Sequence, residues 1–190
     1  LTGATFSGSI IINLFINEDG VLNQDLTQNI EAIFGGHLTW VDYTNDGHLD
    51  LSLSGFQIIN FQGFPATAFY KWENGTYIFD PQDNVTTSYY GYTMGINGGS
   101  NNHSWGDYDN DGDLDLYMCR YHESDENLSA EFRNVLMRND GDFQFTDVTV
   151  QSNTGDYIRA SFQSIWFDWD EDGFIDLFIA NDKDGANTFF

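Results

Sequence analysis

The chain has 190 residues, of which 41% are hydrophobic and 17% aromatic, so it can form a domain with a packed core and does not have the composition of a disordered chain. Thirty acidic residues against six basic ones give a net charge of −24, which disfavours nucleic acid and anionic membrane surfaces as partners. The single cysteine, Cys119, excludes an intrachain disulfide, and we expect it to be a small buried hydrophobic side chain. No apolar run reaches the roughly 20 residues that cross a bilayer, so direct membrane insertion is not expected.

Short runs of β-branched and aromatic residues, separated by glycine turns, predict strands from the start of the chain onward. Residues 14–20, 71–80 and 138–149 each predict a hairpin around a glycine, and the second contains the Asn-Gly dipeptide that tight hairpins prefer. Residues 181–190 indicate the approach to a further copy of this pattern. Since the chain starts at Leu1 without a signal peptide, we expect it to be a processed form or an excerpt of a longer chain.

Three acidic segments align without gaps and define an internal repeat. They are Trp40–Leu51, Trp105–Leu116 and Trp166–Leu177, and each follows the pattern D-x-(D/T)-x-D-G-x-x-D. Their first aspartates lie 65 and then 61 residues apart, and agreement at this many positions excludes chance similarity. The approximate units are 1–35, which is the end of a preceding repeat, 36–100, 101–161 and 162–190, which is truncated.

Each repeat of about 60 residues predicts four short strands. One strand ends in Trp and enters the acidic loop, an alternating strand leaves it, and two more follow around the glycine turn. Four antiparallel strands are the composition of one β-propeller blade, so we predict an all-β chain with about three blades over residues 1–190. A β-sandwich is the alternative, although it does not require a matched loop in every repeat.

The acidic loops have the composition of calcium sites. Ca²⁺ takes about six to eight oxygen ligands, and positions 1, 3 and 5 of a curled loop can direct their side chains at one point. The glycine at position 6 permits the sharp turn, position 7 can offer its backbone carbonyl, and the aspartate at position 9 can complete the shell. The predicted ligands are Asp42, Thr44, Asp46, the His48 carbonyl and Asp50 in the first site; Asp107, Asp109, Asp111, the Asp113 carbonyl and Asp115 in the second; and Asp168, Asp170, Asp172, the Phe174 carbonyl and Asp176 in the third.

Other interpretations of the loops fit less well. EF-hands are excluded because they need a glutamate at position 12, where this chain has Leu53, Met118 or Ile179, and because the flanks predict strands. Mg²⁺ demands octahedral geometry and retains several waters. Loops without any metal would leave three or four carboxylates converging, which is electrostatically costly. Because Thr44 replaces a carboxylate, we expect the first of the three calcium sites to bind most weakly.

These residues make the chain resemble the FG-GAP and VCBS repeats of integrin α-subunit propellers and secreted bacterial proteins. The resemblance rests on the Trp-x-Asp-x-Asp-x-Asp-Gly-x-x-Asp-Leu motif, on residues 134–149 and on Phe34-Gly35-Gly36, and it covers nearly the whole chain. It implies a propeller, usually seven-bladed, with calcium loops on one rim, and an extracellular role in adhesion or ligand binding. Three blades do not close a propeller, so the remaining blades are expected from the same longer chain or from other copies.

The sequence does not predict an enzyme. The conspicuous aspartates are assigned to metal, no G-x-S-x-G motif is present, and the four histidines lack metal or triad spacing and are expected at the surface or in loops. Those histidines are His37, His48, His103 and His122. We expect a calcium-stabilised, secreted or cell-surface module for adhesion, assembly or binding of a protein or glycan ligand. The alternative is a carbohydrate-binding or enzyme-associated propeller of a secreted bacterial protein.

Overall fold

The computed structural model describes residues 2–4, 10–31, 34–59, 62–81, 100–120, 133–142, 144–155, 160–182 and 188–190. These residues form antiparallel β-sheets together with one short helix, so the predicted all-β class is confirmed. No helix in this part of the chain is long and apolar enough to cross a membrane. His122 lies outside the described residues. So do residues 82–99 and 156–159, which belong to the connections at the ends of the repeats 36–100 and 101–161.

The elements follow one another as a series of antiparallel meanders. The strands are β1 (Thr2–Ala4), β2 (Ile10–Ile12), β3 (Leu14–Glu18), β4 (Val21–Asp25), β5 (Phe34–Val41), β6 (Asp50–Ile59), β7 (Gln62–Glu73), β8 (Thr76–Asp80), β9 (Ser100–Gly106), β10 (Asp115–Arg120), β11 (Val135–Asn139), β12 (Phe145–Asp147), β13 (Ala160–Phe167), β14 (Asp176–Asp182) and β15 (Thr188–Phe189); the helix α1 spans Thr149–Ser152. The described sheets are β1-β2, β3-β4, β5-β6-β7-β8, β9-β10-β11-β12 and β13-β14-β15.

The predicted hairpins are present, and their turns explain the glycines. Asn74 and Gly75, between β7 and β8, have φ of 51° and 88°, the pair of positive values that a two-residue hairpin turn of the right twist requires. The turn between β3 and β4 has the same geometry at Asp19 and Gly20, with φ of 52° and 88°. Asn and Gly tolerate these values better than other residues, so the turn residues determine where each hairpin closes.

The three larger sheets, named here by their order in the chain as the first sheet (β5–β8), second sheet (β9–β12) and third sheet (β13–β15), pack face to face. Strand β9 lies against β5 and β6, and β13 lies against β9 and β10. Since side chains of a strand alternate between faces, Leu116 and Met118 of β10 pack toward Phe69 of the first sheet, while Tyr117 and Cys119 pack toward the third. Both faces of β10 are therefore buried, as predicted for Cys119.

Polar side chains also join the sheets. The imidazole of His103 in β9 is fully buried; its Nδ1 lies 2.8 Å from the Ser54 hydroxyl, its Nε2 contacts Ser52, and its ring meets His37 edge-on at 4.9 Å. Burial, and then the neighbouring His37, lower the pKa of His103 to about 3, so the ring is neutral. The expectation that His103 is a surface or loop residue was wrong, because hydroxyls from β6 satisfy both ring nitrogens inside the core.

The second and third sheets are linked in a similar way. The hydroxyls of Ser104 and Ser164 lie 2.7 Å apart between β9 and β13, the first strands of the two sheets. Farther along, the Asn134 amide donates to the Ser161 hydroxyl at 2.7 Å, and Ser161 donates to the Asn181 side chain at 2.8 Å. These bonds satisfy polar groups that would otherwise be buried without partners, and they align the sheets laterally in a way that apolar packing alone does not.

Gly106 allows the closest approach between the second and third sheets. A Cβ on this residue would lie 2.6 Å from Ile175 Cδ1 and 2.7 Å from Trp166 Cγ, which is shorter than any tolerable contact. The equivalent positions in the first and third repeats hold the larger Val41 and Phe167. The second repeat therefore has glycine at this position because the second and third sheets approach each other closely there.

We predict that Gly106→Ala destabilises the fold by about 1–3 kcal/mol, since the added methyl forces the two sheets apart. Chemical denaturation monitored by tryptophan fluorescence measures this change. Ile175→Val removes the atom nearest to the new methyl, so the double variant should recover part of the loss. Additive losses in the double variant would show that the clash does not arise at this contact.

Candidate metal centres

Each acidic loop connects the first and second strands of its sheet, and the three loops have the same backbone curl. Position 4 is left-handed, with φ of 58° at Asn45, 59° at Asn110 and 62° at Glu171. The glycines at position 6 have φ of 85°, 96° and 91° in the first, second and third loops. No atom lies within 4 Å of a Cβ placed on these glycines, so glycine is required by the backbone conformation and not by crowding.

The first aspartate of each loop holds this curl by accepting two backbone N–H groups. In the second loop, Asp107 accepts from Asp111 and Gly112, both at 3.0 Å. Asp42 accepts from the equivalent N–H groups at 3.0 and 2.8 Å, and Asp168 at 3.1 and 3.0 Å. The two bonds to each position-1 aspartate therefore hold the loop curled around that side chain.

The position-5 carboxylates Asp46, Asp111 and Asp172 are also oriented by the backbone. Each accepts the N–H of position 7, at 2.8 Å from His48, 2.9 Å from Asp113 and 2.9 Å from Phe174. These bonds use one carboxylate oxygen and leave the second oxygen, together with the position-7 carbonyls, as candidate ligands.

Carboxylates converge in two of the three loops. Asp107, Asp109 and Asp111 each place one oxygen within 4.8 Å of the others in the second loop, and Asp168, Asp170 and Asp176 do so in the third. Oxygens bound to one Ca²⁺ at about 2.3–2.6 Å can lie up to about 5 Å apart, so both groups fit a single ion. Burial, and then the neighbouring Asp111, raise the pKa of Asp109.

The first loop differs at position 3. No group of three converging carboxylates is found there within the described residues. The Thr44 hydroxyl instead donates to Asp50 Oδ2 at 2.9 Å, and the pKa of Asp50 is raised by burial despite this bond. The loop keeps its curl, but Asp42, Asp46 and Asp50, which the sequence predicted to share one ion with Thr44, do not form a converging group of three.

The position-9 aspartates have a structural role that the sequence did not indicate. Asp115 is fully buried, and its carboxylate accepts the N–H of Tyr108 in the loop and of Asn139 at the end of β11, both at 2.8 Å. Asp50 likewise accepts the N–H of Trp72, at the end of β7, at 2.9 Å. These two carboxylates therefore join each loop to the third strand of its own sheet. Burial raises the pKa of Asp115 to about 7, although the two backbone bonds oppose this shift.

The third loop presents its position-9 aspartate differently. Asp176 is partly exposed, accepts the N–H of Trp169 at 2.8 Å, and belongs to the converging group of that loop. The structure thus places Asp176 with Asp168 and Asp170, whereas the corresponding group in the second loop contains Asp111 in place of the position-9 residue. The other predicted side-chain ligands lie outside these groups; they are Asp42, Thr44, Asp46, Asp50, Asp115 and Asp172.

Comparisons with known proteins leave the family open. No protein-family model matches the chain, and a search of curated proteins finds no match. The resemblance to FG-GAP and VCBS repeats therefore remains a prediction from the motif residues.

We predict that metal-free protein loses stability as the pH rises from about 4 to 7, partly through Asp115. The folded state keeps this proton up to about pH 7, whereas the unfolded chain releases it near its ordinary value of 3.8, so folding is favoured on the acid side. Asp115→Asn should flatten this part of the curve of unfolding free energy against pH in the presence of EDTA. Val148→Ala, a buried apolar control, should lower stability and keep the wild-type slope; an unchanged slope in Asp115→Asn would contradict the prediction.

Proposed function

We propose that this chain is a calcium-stabilised β-propeller region of an extracellular protein that serves adhesion, assembly or ligand binding. The observation that carries the proposal is the common curl of three acidic loops, two of which bring three carboxylate oxygens within 4.8 Å of one another. Three bound Ca²⁺ ions would change the net charge from −24 to about −18 and would offset the repulsion inside each loop.

Hard oxygen donors in flexible, carboxylate-rich loops favour Ca²⁺ over Mg²⁺, which needs a strict octahedral shell and keeps several waters. Extracellular calcium modules bind with dissociation constants of about 10⁻⁴ to 10⁻³ M, so such sites fill outside cells and stay largely free of calcium in the cytosol. This affinity range is the reason for proposing a secreted or cell-surface location. Calcium would then couple the stability of the sheets to the compartment.

The stacking of the sheets supports the propeller. Tyr43, at position 2 of the first loop, is 2% exposed because it stacks on Trp105 of the second sheet, with ring centroids 5.9 Å apart and planes 16° from parallel. The equivalent Trp169 of the third loop is 68% exposed, and Ile165 on β13 is 53% exposed. The same packing relation continued once more would cover this face with another sheet, from the same longer chain or from a second copy.

We predict that calcium raises the melting temperature of the metal-free protein and that EDTA reverses the change. A hundredfold excess over the dissociation constant adds about 2.7 kcal/mol per site, which corresponds to a shift of about 5–10 °C for a chain of this size. Differential scanning calorimetry measures the shift, with magnesium at the same concentration as the control ion. Equal melting temperatures in calcium and EDTA would overturn the metal assignment.

Two matched variants sharpen this test. Asp111→Asn keeps the acceptor for the Asp113 N–H and removes one ligand charge, so it should reduce the calcium-dependent shift. Thr44→Asp restores the carboxylate that the first loop lacks. It should tighten calcium binding at the first site and lower the stability of the metal-free protein, because the new charge lies beside the buried Asp50.

A specific cavity favours a neutral, hydroxyl-rich ligand such as a glycan. Its volume is about 510 Å³, and it lies between the first strands of the three larger sheets. Trp40, which is 46% exposed, lines it together with Thr39 and Ser104. No lysine or arginine contributes among the described residues, and burial lowers the pKa of His37, so the lining offers no cation to an acidic ligand. Indole faces and hydroxyls suit sugars, which are apolar on one face and polar at the edge.

We predict that a glycan array probed with calcium-loaded protein shows binding of neutral sugars and that Trp40→Ala abolishes it. Val150→Ala, an exposed substitution in α1, should leave the signal unchanged. Absence of binding to any neutral glycan would direct attention to protein ligands, and binding that survives Trp40→Ala would exclude this cavity as the site.

A further inference from the structure

Neighbouring acidic loops touch each other through the side chain at position 4. The Asn110 amide nitrogen of the second loop donates to the carbonyl oxygen of Gly173 in the third loop at 3.0 Å. The equivalent Asn45 of the first loop lies 3.5 Å from the Gly112 carbonyl oxygen and 3.3 Å from Asp113 Oδ1 in the second loop. The same loop position therefore bridges to the next loop at both junctions, across 63 and 67 residues of chain.

Each bridge ends on a peptide group that also orients a candidate metal ligand. The carbonyl of Gly173 belongs to the same peptide unit as the N–H of Phe174, which donates to Asp172 at 2.9 Å. In the second loop, the Gly112 carbonyl shares a peptide unit with the N–H of Asp113, which donates to Asp111 at 2.9 Å. A planar peptide transmits orientation rigidly, so fixing its oxygen also fixes its N–H. At each junction, two successive hydrogen bonds therefore connect the position-4 amide of one loop to the position-5 carboxylate of the next: one to the peptide oxygen and one from the N–H of the same peptide.

We propose that Asn45 and Asn110 couple the metal sites of adjacent loops, so that an ion bound in one loop raises the affinity of the neighbouring loop. This inference rests on the proposed calcium function. A Ca²⁺ ion bound in one loop holds position 4 in its left-handed conformation, so the amide stays directed at the next loop. The next loop then loses less conformational entropy when its own carboxylates become ordered around an ion. Coupling of this kind is reciprocal, so the effect works in both directions along the row of loops.

The geometry ranks the two junctions. The bond from Asn110 is shorter than those from Asn45, so coupling between the second and third sites is stronger than coupling between the first and second. The third loop has Glu171 at position 4, with the same left-handed backbone and no amide to donate. The bridges described here therefore end at the third loop, and Glu171 provides a matched control position.

The test is a thermodynamic cycle on the full chain. Asp170→Asn weakens the third site without altering either bridge, and Asn110→Gly removes the amide while allowing the same positive φ. Glu171→Gly makes the same backbone change where no bridge exists. Calcium occupancy of the second loop is followed by the amide resonance of Gly112, and isothermal titration calorimetry records total binding.

In the wild-type and Glu171→Gly backgrounds, Asp170→Asn should weaken calcium binding at Gly112 by about two- to tenfold, the range expected for loss of one net hydrogen bond. In the Asn110→Gly background it should have no effect at Gly112. No heat and no response of Gly112 to calcium would refute the proposed function itself. The inference would be overturned if Asp170→Asn left the calcium affinity reported by Gly112 unchanged in the wild-type background, or if it lowered that affinity in the Asn110→Gly background as well. Either result would leave the proposed calcium function intact.

Discussion

The buried carboxylate at position 9 of the first two loops is the constraint on which much of this architecture depends. Asp115 accepts one N–H from its loop and one from the end of β11, and Asp50 repeats the arrangement with Trp72 at the end of β7. A buried polar group must be satisfied by hydrogen bonds, so each of these carboxyl groups fixes the loop against its own sheet. The cost of burial appears as the raised pKa of both aspartates.

This constraint places the part of the loop that carries the candidate metal ligands at the edge of the sheet. Position 9 begins the second strand, and position 1 lies directly after the first, so a curl anchored at both ends brings positions 3 and 5 between them. In the second loop the carboxylates at these positions are close enough to repel one another, whereas in the third loop the partly exposed Asp176 itself belongs to the converging group. A divalent cation would remove that repulsion, so the elements that stabilise the loop also support the proposed calcium binding.

The loops gain order from their neighbours as well as from their own sheets. Face-to-face packing brings position 4 of one loop to the backbone of the next. The Ser52–His103–Ser54 contact between β6 and β9 and the Ser104–Ser164 pair between β9 and β13 hold successive sheets in a fixed lateral position. Apolar packing such as that around Phe69 and Met118 supplies most of the cohesion, because it removes large nonpolar areas from water. The polar bonds supply the alignment that this nondirectional force lacks.

The all-β class, the hairpins at the Asn-Gly and Asp-Gly turns, and the identity and equivalence of the three acidic loops could all be predicted from the sequence. These features depend on local periodicity, on glycine at positive φ and on residues within nine positions of each other. Thr44 also marked the first loop as the one with fewer carboxylates, but the sequence did not indicate that its three remaining aspartates form no converging group.

The groups that meet across sheets could not be predicted from the sequence, because their contacts depend on how the sheets pack. The burial of His103 required β9 to lie against β6, the role of Asp115 required the end of β11 beside the loop, and the bridge from Asn110 required two loops 63 residues apart to become neighbours. Such contacts depend on how whole sheets stack, and stacking is set by the summed packing of many side chains. A local motif carries no information about that sum, which is why the loops were recognisable from the sequence and the links between them were not.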